Sequence, residues 1–189
     1  MVTLTGAKVI LREKLPEDAW NDYLWRSDEE LSRLDAAPPL RMAYQEYLRI
    51  FKDQLRYPTP GSLRLSIETL DHELIGNCMY YDVDTINKEA ELGIVIGNKN
   101  YWSHSYGYDA IVILLDHLFY TTKLQRVYLH TLEWNKRAQR CFERCGFTMV
   151  RPRKRNGYNF ILMDISQDHW QEIRKEKLAG SLPISDQAN

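Results

Sequence analysis

No stretch of this sequence holds the roughly 18 consecutive apolar residues of a membrane-spanning helix, so no span is expected. The start, "MVTLTGAKVILREK", has no apolar signal core before its charges begin, and no export signal is expected there. Cysteine is scarce. There are three, an odd number, with Cys141 and Cys145 close together. That argues against a disulfide framework and for a reducing, cytoplasmic location. Charge of one sign is lacking too: a formal net charge of −1 gives no global pull toward nucleic acid or an anionic membrane. His104 and His130 stand alone without metal-ligand spacing, and no metal site is expected. Asp82, Asp84 and Glu89 read as a solvated turn rather than a cation site. There is no internal repeat and no low-complexity tract. Neither a Gly-Lys-Ser/Thr phosphate loop nor a dinucleotide fingerprint occurs.

What is present is ordinary for a soluble globular chain. Hydrophobic residues make up 44% and charged residues 27% of 189 positions, enough for one domain with a proper core. No composition break marks a second domain. One domain over 1–178 is expected, then a loosely ordered polar tail over 179–189. "AKVILRE" alternates weakly and predicts a first strand. Pro16, with Glu17 and Asp18 in the first turn, predicts a helix over "PEDAWNDYLWR". "DAAPPL" interrupts the chain before a second helix, "YQEYLRIFKDQL". Strands are predicted at "LRLSIE", "LIGNCMYYDV" and "AELGIVI". Ile111, Leu114, Leu115 and Leu118 share one face of a helix over 107–120. "RVYLHTL" reads as a strand. "NKRAQRCFERCGF" reads as a short helix, capped by Asn135 and ended by Gly146. A last strand, "GYNFILMDI", and a terminal helix, "QDHWQEIRKEK", complete one α/β domain.

The segment "YWSHSYGYDA", 101–110, lies between a predicted strand and a predicted helix. Such a junction leaves free backbone N–H groups at the positive end of the helix dipole, which suits an anion, typically a phosphate. Gly107 permits close approach, and the hydroxyls of Ser103 and Ser105 can donate. A plain strand-to-helix turn with one packing glycine reads equally well. Serine at 105 stands where glycine would suit. The loop then needs a negative φ at 105, or a hydroxyl that replaces glycine's freedom. In the helix after Asn135, the residues Ala138, Cys141, Phe142 and Cys145 form a core stripe. Arg137, Arg140 and Arg144 form a basic stripe that is either solvated or faces a phosphate.

Together these two segments resemble the Gcn5-related N-acetyltransferases (GNAT), and within them the branch of ribosomal-protein N-terminal acetyltransferases. The pattern there is a strand like "AELGI", a loop W-G-x-G-Y-G-T-E-A and a helix N-x-x-A-x-x-x-x-E-K-x-G-F. Here the loop reads Trp102, Ser103, His104, Ser105, Tyr106, Gly107, Tyr108, Asp109, Ala110. The helix reads Asn135, Ala138, Glu143, Arg144, Gly146, Phe147. "VILREKLPEDAWNDYLWRSDEE" and "GYNFILMDISQDHW" extend the likeness over roughly residues 4–170. The resemblance implies a mixed α/β domain. Its central sheet would be mostly antiparallel, twisted and splayed at the cofactor site, with helices on both faces. It implies acetyl-coenzyme A (acetyl-CoA) as co-substrate. The loop from Trp102 to Tyr108, with Ser103, His104, Ser105, Tyr106 and Gly107 between, would hold the pyrophosphate. The pantetheine chain would run along Ile94, Val95 and Ile96 and touch Asn135. Ala138 and Phe142 would line the same site, and Arg144, Arg137 or Arg140 would meet outer phosphates.

An amine must attack the thioester unprotonated. A free α-amine has a pKa of about 8 and a lysine about 10.4, so a carboxylate base, acting directly or through water, helps. Strand alternation puts Glu91, Gly93 and Val95 on one face and Leu92, Ile94 and Ile96 on the other. Histone-acetylating members carry a glutamate near the place of Glu91. It is therefore either the base or a surface or ion-paired glutamate. In the family a backbone N–H of residues 94 to 96 stabilises the carbonyl oxygen. Two positions depart from the family. Phe142 replaces the tyrosine that many members use as general acid, and Ala138 replaces an alternative serine. The acid is left unassigned, with water, Tyr128 and Tyr158 as candidates.

The expected activity is N-acetylation of a primary amine, a protein N-terminus or a small molecule, by direct attack in a ternary complex. The acceptor would enter near "DAAPPLRMAY" and "YDVDTINKE". Phe142 and Ala138 motivate one rival, a coenzyme A-binding sensor or scaffold without turnover. The basic stretch "RPRKRNG", 151–157, reads as a solvated loop. It otherwise motivates a second rival, an RNA- or ribosome-associated binding module. Acceptor identity, and monomer against dimer, stay open.

Overall fold

The computed structural model describes residues 2–180. Its strands are β1 (Thr3–Thr5), β2 (Val9–Glu13), β3 (Leu63–Thr69), β4 (Leu74–Asp84), β5 (Glu89–Ile96), β6 (Arg126–Leu132), β7 (Thr148–Arg155) and β8 (Tyr158–Ser166). The helices are α1 (Ala19–Ser27), α2 (Glu29–Leu34), α3 (Tyr44–Arg56), α4 (Tyr106–Thr121), α5 (Lys136–Arg144) and α6 (Gln167–Ala179). All strands join one eight-stranded sheet in the order β1-β2-β3-β4-β5-β6-β8-β7. Neighbours are antiparallel except β5 and β6, which are parallel. A parallel pair needs a long crossover, and α4 supplies it. The mixed, mostly antiparallel sheet with flanking helices is the architecture expected from the sequence. Among the described residues no helix is long and apolar enough to cross a membrane.

Register sorts the two faces of the sheet. Arg64, Met79 and Gly93 align across β3, β4 and β5, as do Ser66, Asn77 and Val95. Tyr81, Glu91 and Tyr128 align across β4, β5 and β6. This face meets α1 and α3, where Ala19, Tyr47 and Phe51 form a small second core. The opposite face buries Leu65, Ile67, Cys78 and Leu92 in the main core with α4. The predicted apolar face of α4 is fully buried there. Val112, Ile113 and Phe119 are buried as well, so the helix is enclosed on nearly every side.

Three elements escaped the sequence reading. β1 has only three residues, too few to reveal alternation. α2 has six, and its start is fixed by Asp28, whose side chain accepts from Leu31 N at 2.8 Å. β7 covers the basic stretch read as a loop. All its residues are exposed, so no inward-facing pattern marks it as a strand. Its register comes from a hairpin with β8, closed at Asn156 and Gly157, both with positive φ. The arginines and lysine of this edge strand discourage further pairing. Smaller differences lie at element ends. Residues Pro16–Asp18 form a 3₁₀ turn before α1, and α4 gains one residue at each end. Helix α6 takes in Ala179, the first residue assigned to the tail. The rest of that expectation, from 181 on, lies outside the described residues.

Candidate active site

Parallel pairing of β5 with β6 covers only Glu89–Glu91 against Arg126–Tyr128, and beyond that the strands part. A cavity of about 420 Å³ opens in the gap. Ile94, Val95 and Ile96 line it from β5, and Trp102, Ser103, Ser105, Tyr106, Gly107 and Tyr108 line it from the loop and the start of α4. Asn135, Ala138, Phe142 and Arg144 line it from α5, together with Arg137, Arg140 and Cys141. Of the residues the resemblance assigns to the cofactor, His104 alone is not on the wall. It is exposed.

The loop backbone corrects one expectation. Ser105 has φ 66° and ψ 9°, and Ser103 has φ 64°. Both are left-handed, not negative at 105. They stand at the two positions where the resembled pattern carries glycine before Tyr106. A reversal straight into α4 requires this backbone whatever the side chain. Nor does the Ser105 hydroxyl replace glycine by capping: it makes no cap hydrogen bond to α4. The first amides of the helix are left without a side-chain cap, as an anion site requires. A left-handed non-glycine residue costs roughly 1–2 kcal/mol, part of which glycine gives back through its freer unfolded chain. Ser105→Gly is therefore expected to stabilise the protein by up to about 1 kcal/mol in a denaturant titration. A clear loss of stability would mean that the hydroxyl holds the loop.

Trp102 donates from Nε1 to the Ile96 carbonyl at 2.7 Å, tying the loop to the end of β5. The Arg137 guanidinium lies 3.7 Å from the centre of the Trp102 ring, and that of Arg144 lies 4.8 Å from the centre of Tyr108. The basic stripe of α5 thus turns toward the cavity. Asn135 caps α5 by accepting from Ala138 N at 3.2 Å, and Gly146 ends it with φ +102°. The apolar stripe divides. Phe142 and Cys145 are buried, whereas Ala138 and Cys141 are half-buried on the cavity wall. The Cys141 thiol is lowered by a hydrogen bond from Cys145, against burial, with Arg144 and Arg137 adding to the effect.

Glu91 lines neither this cavity nor the next. Its side chain is 7% exposed and sits 2.9 Å from Nδ1 of His130. His130 is therefore not isolated. The parallel register brings together two residues 39 positions apart. Directly across on β4 lies Tyr81. Its hydroxyl pKa is pushed up by burial first, then by the negative charge of the neighbouring Glu91 carboxylate. Tyr128 and Tyr158 line neither cavity.

A second cavity, of about 310 Å³, lies on the α1–α3 face. It shares Leu31, Asp35, Ile94 and Val95 with the first, so the two meet over β5. Asp35, Ala37, Pro38 and Leu40 come from "DAAPPLRMAY", while "YDVDTINKE" contributes only Tyr81. Lys14 is buried at its edge, 2.6 Å from Asp22 and 2.6 Å from Asn77 Oδ1. Burial lowers the ammonium pKa of Lys14, with Asp22 opposing. Asp35 is exposed as a residue, but its surroundings desolvate the carboxyl and raise it, with Arg26 opposing. Asp35 and Tyr81 open the two segments expected near the acceptor, whereas Leu31 carried no signal in the sequence and is placed here by the missed helix α2.

Over residues 8–148 the sequence matches the acetyltransferase (GNAT) domain family, and the chain belongs to that family. It is an acetyltransferase. It is 26% identical over 129 residues to the uncharacterized N-acetyltransferase p20 of Bacillus licheniformis, covering 67% of this chain and 71% of that relative. The fold superposes on spermidine N-acetyltransferase from Vibrio cholerae, solved with CoA and spermine. The TM-score is 0.76 at 20% identity, over 86% of this chain and 98% of that one. It also superposes on Mycobacterium smegmatis RimJ, solved with CoA-disulfide. There the TM-score is 0.77 at 17% identity, over 95% and 94% of the two chains.

Proposed function

We propose that this protein transfers the acetyl group of acetyl-CoA to a primary amine by direct attack in a ternary complex. One observation carries the reading: two cavities meet over β5 at Ile94 and Val95, with Leu31 and Asp35 on both walls. The first has what a donor of this kind needs. Uncapped helix amides at Tyr106, Gly107 and Tyr108 suit a pyrophosphate, and Arg137, Arg140 and Arg144 suit further phosphate charge. Backbone groups along Ile94–Ile96, where β6 has moved away, suit the amides of a pantetheine chain. An N–H of the same segment is the donor for charge developing on the carbonyl oxygen. The second cavity receives the amine. The acceptor stays open: one neighbour is a spermidine enzyme, while the motif pattern resembles a branch that acts on protein N-termini.

Glu91 is the base in this reading and acts through Tyr81. The tyrosine lines the acceptor cavity, and the Glu91 carboxylate lies directly across from it on β5, close enough for its charge to act on the hydroxyl. Phe142 and Ala138 offer no proton. A leaving thiolate is a weak base, with a thiol pKa of about 8.5 for cysteine, and needs no dedicated acid. The test is calorimetric titration with acetyl-CoA followed by a thiol-release screen over N-terminal peptides, polyamines, aminoglycosides and amino acids. Binding together with steady release is expected. Binding without release from any amine would leave only a coenzyme A scaffold.

Glu91→Gln should lower turnover at pH 7 by about 100-fold. The sign with pH is fixed. Below its pKa of about 8 an α-amine is mostly protonated and needs the base, so the deficit should shrink as pH rises past 8. Tyr81→Phe should show the same pH trend. An unchanged rate and pH profile in Glu91→Gln would remove Glu91 from the mechanism.

A further inference from the structure

The acceptor cavity has a charge pattern that the acetyl-transfer reading does not by itself explain. Lys14 and Asp22 neutralise each other at 2.6 Å, with Asn77 closing the network to both. Three charged residues remain on the wall: Arg26, Arg64 and Asp35. Among the described residues neither arginine has an ion-pair partner. Arg64 donates to the neutral amide of Gln54 at 2.7 Å. Arg26 and Arg64 line the cavity together with Tyr47. The Tyr47 pKa is pushed up to about 12 by burial, with Asp22 adding and both arginines opposing. Two guanidinium groups and Tyr47 therefore line one cavity, and neither guanidinium is paired with a carboxylate. Asp35 lies at the junction with the donor cavity, where the charge of Arg26 also acts on it.

We infer that the acceptor is an amine that also carries a carboxylate, with the ammonium received at Asp35 and the carboxylate held by Arg26 and Arg64. The inference rests on the acetyl-transfer reading above. The amine has to reach the junction over Ile94 and Val95, and Asp35 is the acidic group there. Planar guanidinium donors match a carboxylate with paired, charge-assisted hydrogen bonds. A polycation, such as the spermine bound by the Vibrio cholerae enzyme, would bring further positive charge against these two groups. Trp25, Phe51 and Met79 supply apolar wall for a side chain between the two charges. A free amino acid or short peptide presents this chemistry. So does a protein N-terminus that begins with an acidic residue.

Thiol release by the full-length protein, measured on matched acceptors, tests this. The pairs are an amino acid and its amide, a dipeptide and its C-terminal amide, and a decapeptide amide beginning with Asp or with Asn. Spermidine is the polycation. In at least one pair the carboxylate member should have a kcat/KM about tenfold higher, and spermidine should fall below it. The pair that responds separates a small molecule from a protein N-terminus. Arg26→Gln with Arg64→Gln should erase the preference by raising KM for the carboxylate member alone, with KM for acetyl-CoA unchanged. Equal rates within every pair, or a preference for spermidine, would overturn the inference and leave acetyl transfer standing. Binding of acetyl-CoA with no turnover of any amine would overturn the acetyl-transfer reading, and this inference with it.

Discussion

Gly107→Val is expected to weaken acetyl-CoA binding by about 1,000-fold, because two or more charge-assisted hydrogen bonds of about 1.5–3 kcal/mol each would be lost. The fold should be nearly untouched. A Cβ at position 107 would lie 3.7 Å from Ile96 Cγ1 and 3.9 Å from Cys141 Sγ, ordinary contacts. The backbone there is helical with no positive φ. What the larger side chain fills is the cavity itself, against the amides at the start of α4. Calorimetric titration with acetyl-CoA, beside a thermal melt, separates the two effects. Wild-type affinity in a folded variant would refute the pyrophosphate role of this loop.

Asp109→Ala should destabilise the protein by about 4 kcal/mol, since three backbone amides lose their acceptor, one buried and two partly buried, and a buried amide left unpaired costs about 1–3 kcal/mol. Asp109 is 2% exposed and sits in the first turn of α4. Its carboxylate accepts from the backbone N–H of Ala7 at 3.2 Å, Lys8 at 2.8 Å and Val9 at 3.1 Å. The turn between β1 and β2 thus wraps around this one side chain, closely enough that Gly6 has no room for a Cβ. The melting temperature should fall by about 10 °C for a chain of this size. Asp109→Asn keeps one acceptor oxygen and should lie between. A loss below about 1 kcal/mol would show that water replaces the carboxylate. Asp109 also anchors the helix whose first amides face the donor cavity. Its loss should therefore loosen acetyl-CoA binding without touching the cavity wall.

Much of the frame was legible in the sequence because its signals are local. The alternation in "AELGIVI" sorts Gly93 and Val95 to the α1–α3 face and Ile96 toward Gly107. Asn135 and Gly146 mark the ends of α5 because capping and left-handed backbone are decided within a few residues. The loop at 101–110 and the helix after Asn135 carry the family likeness together. Short or uniformly exposed elements left no such signal: β1, α2 and β7 depend on partners rather than on period. Ser105 misled because glycine's freedom is the usual sign of a left-handed turn. Here a serine takes that backbone.

By itself the sequence determined the strands and helices with clear period, the caps, and the pair of motifs that define a GNAT acetyltransferase. Only the tertiary structure decided that the Glu91 carboxylate meets His130 and lies across from Tyr81. It alone placed Asp109 against a turn about 100 residues away, and it alone brought Asp35, Arg26 and Arg64 onto one cavity wall. The reason is physical. Period and capping are written in the spacing of neighbours along the chain. Which buried carboxylate meets which amide, ring or cation is fixed by strand register and by how helices pack on the sheet. No local spacing encodes those contacts.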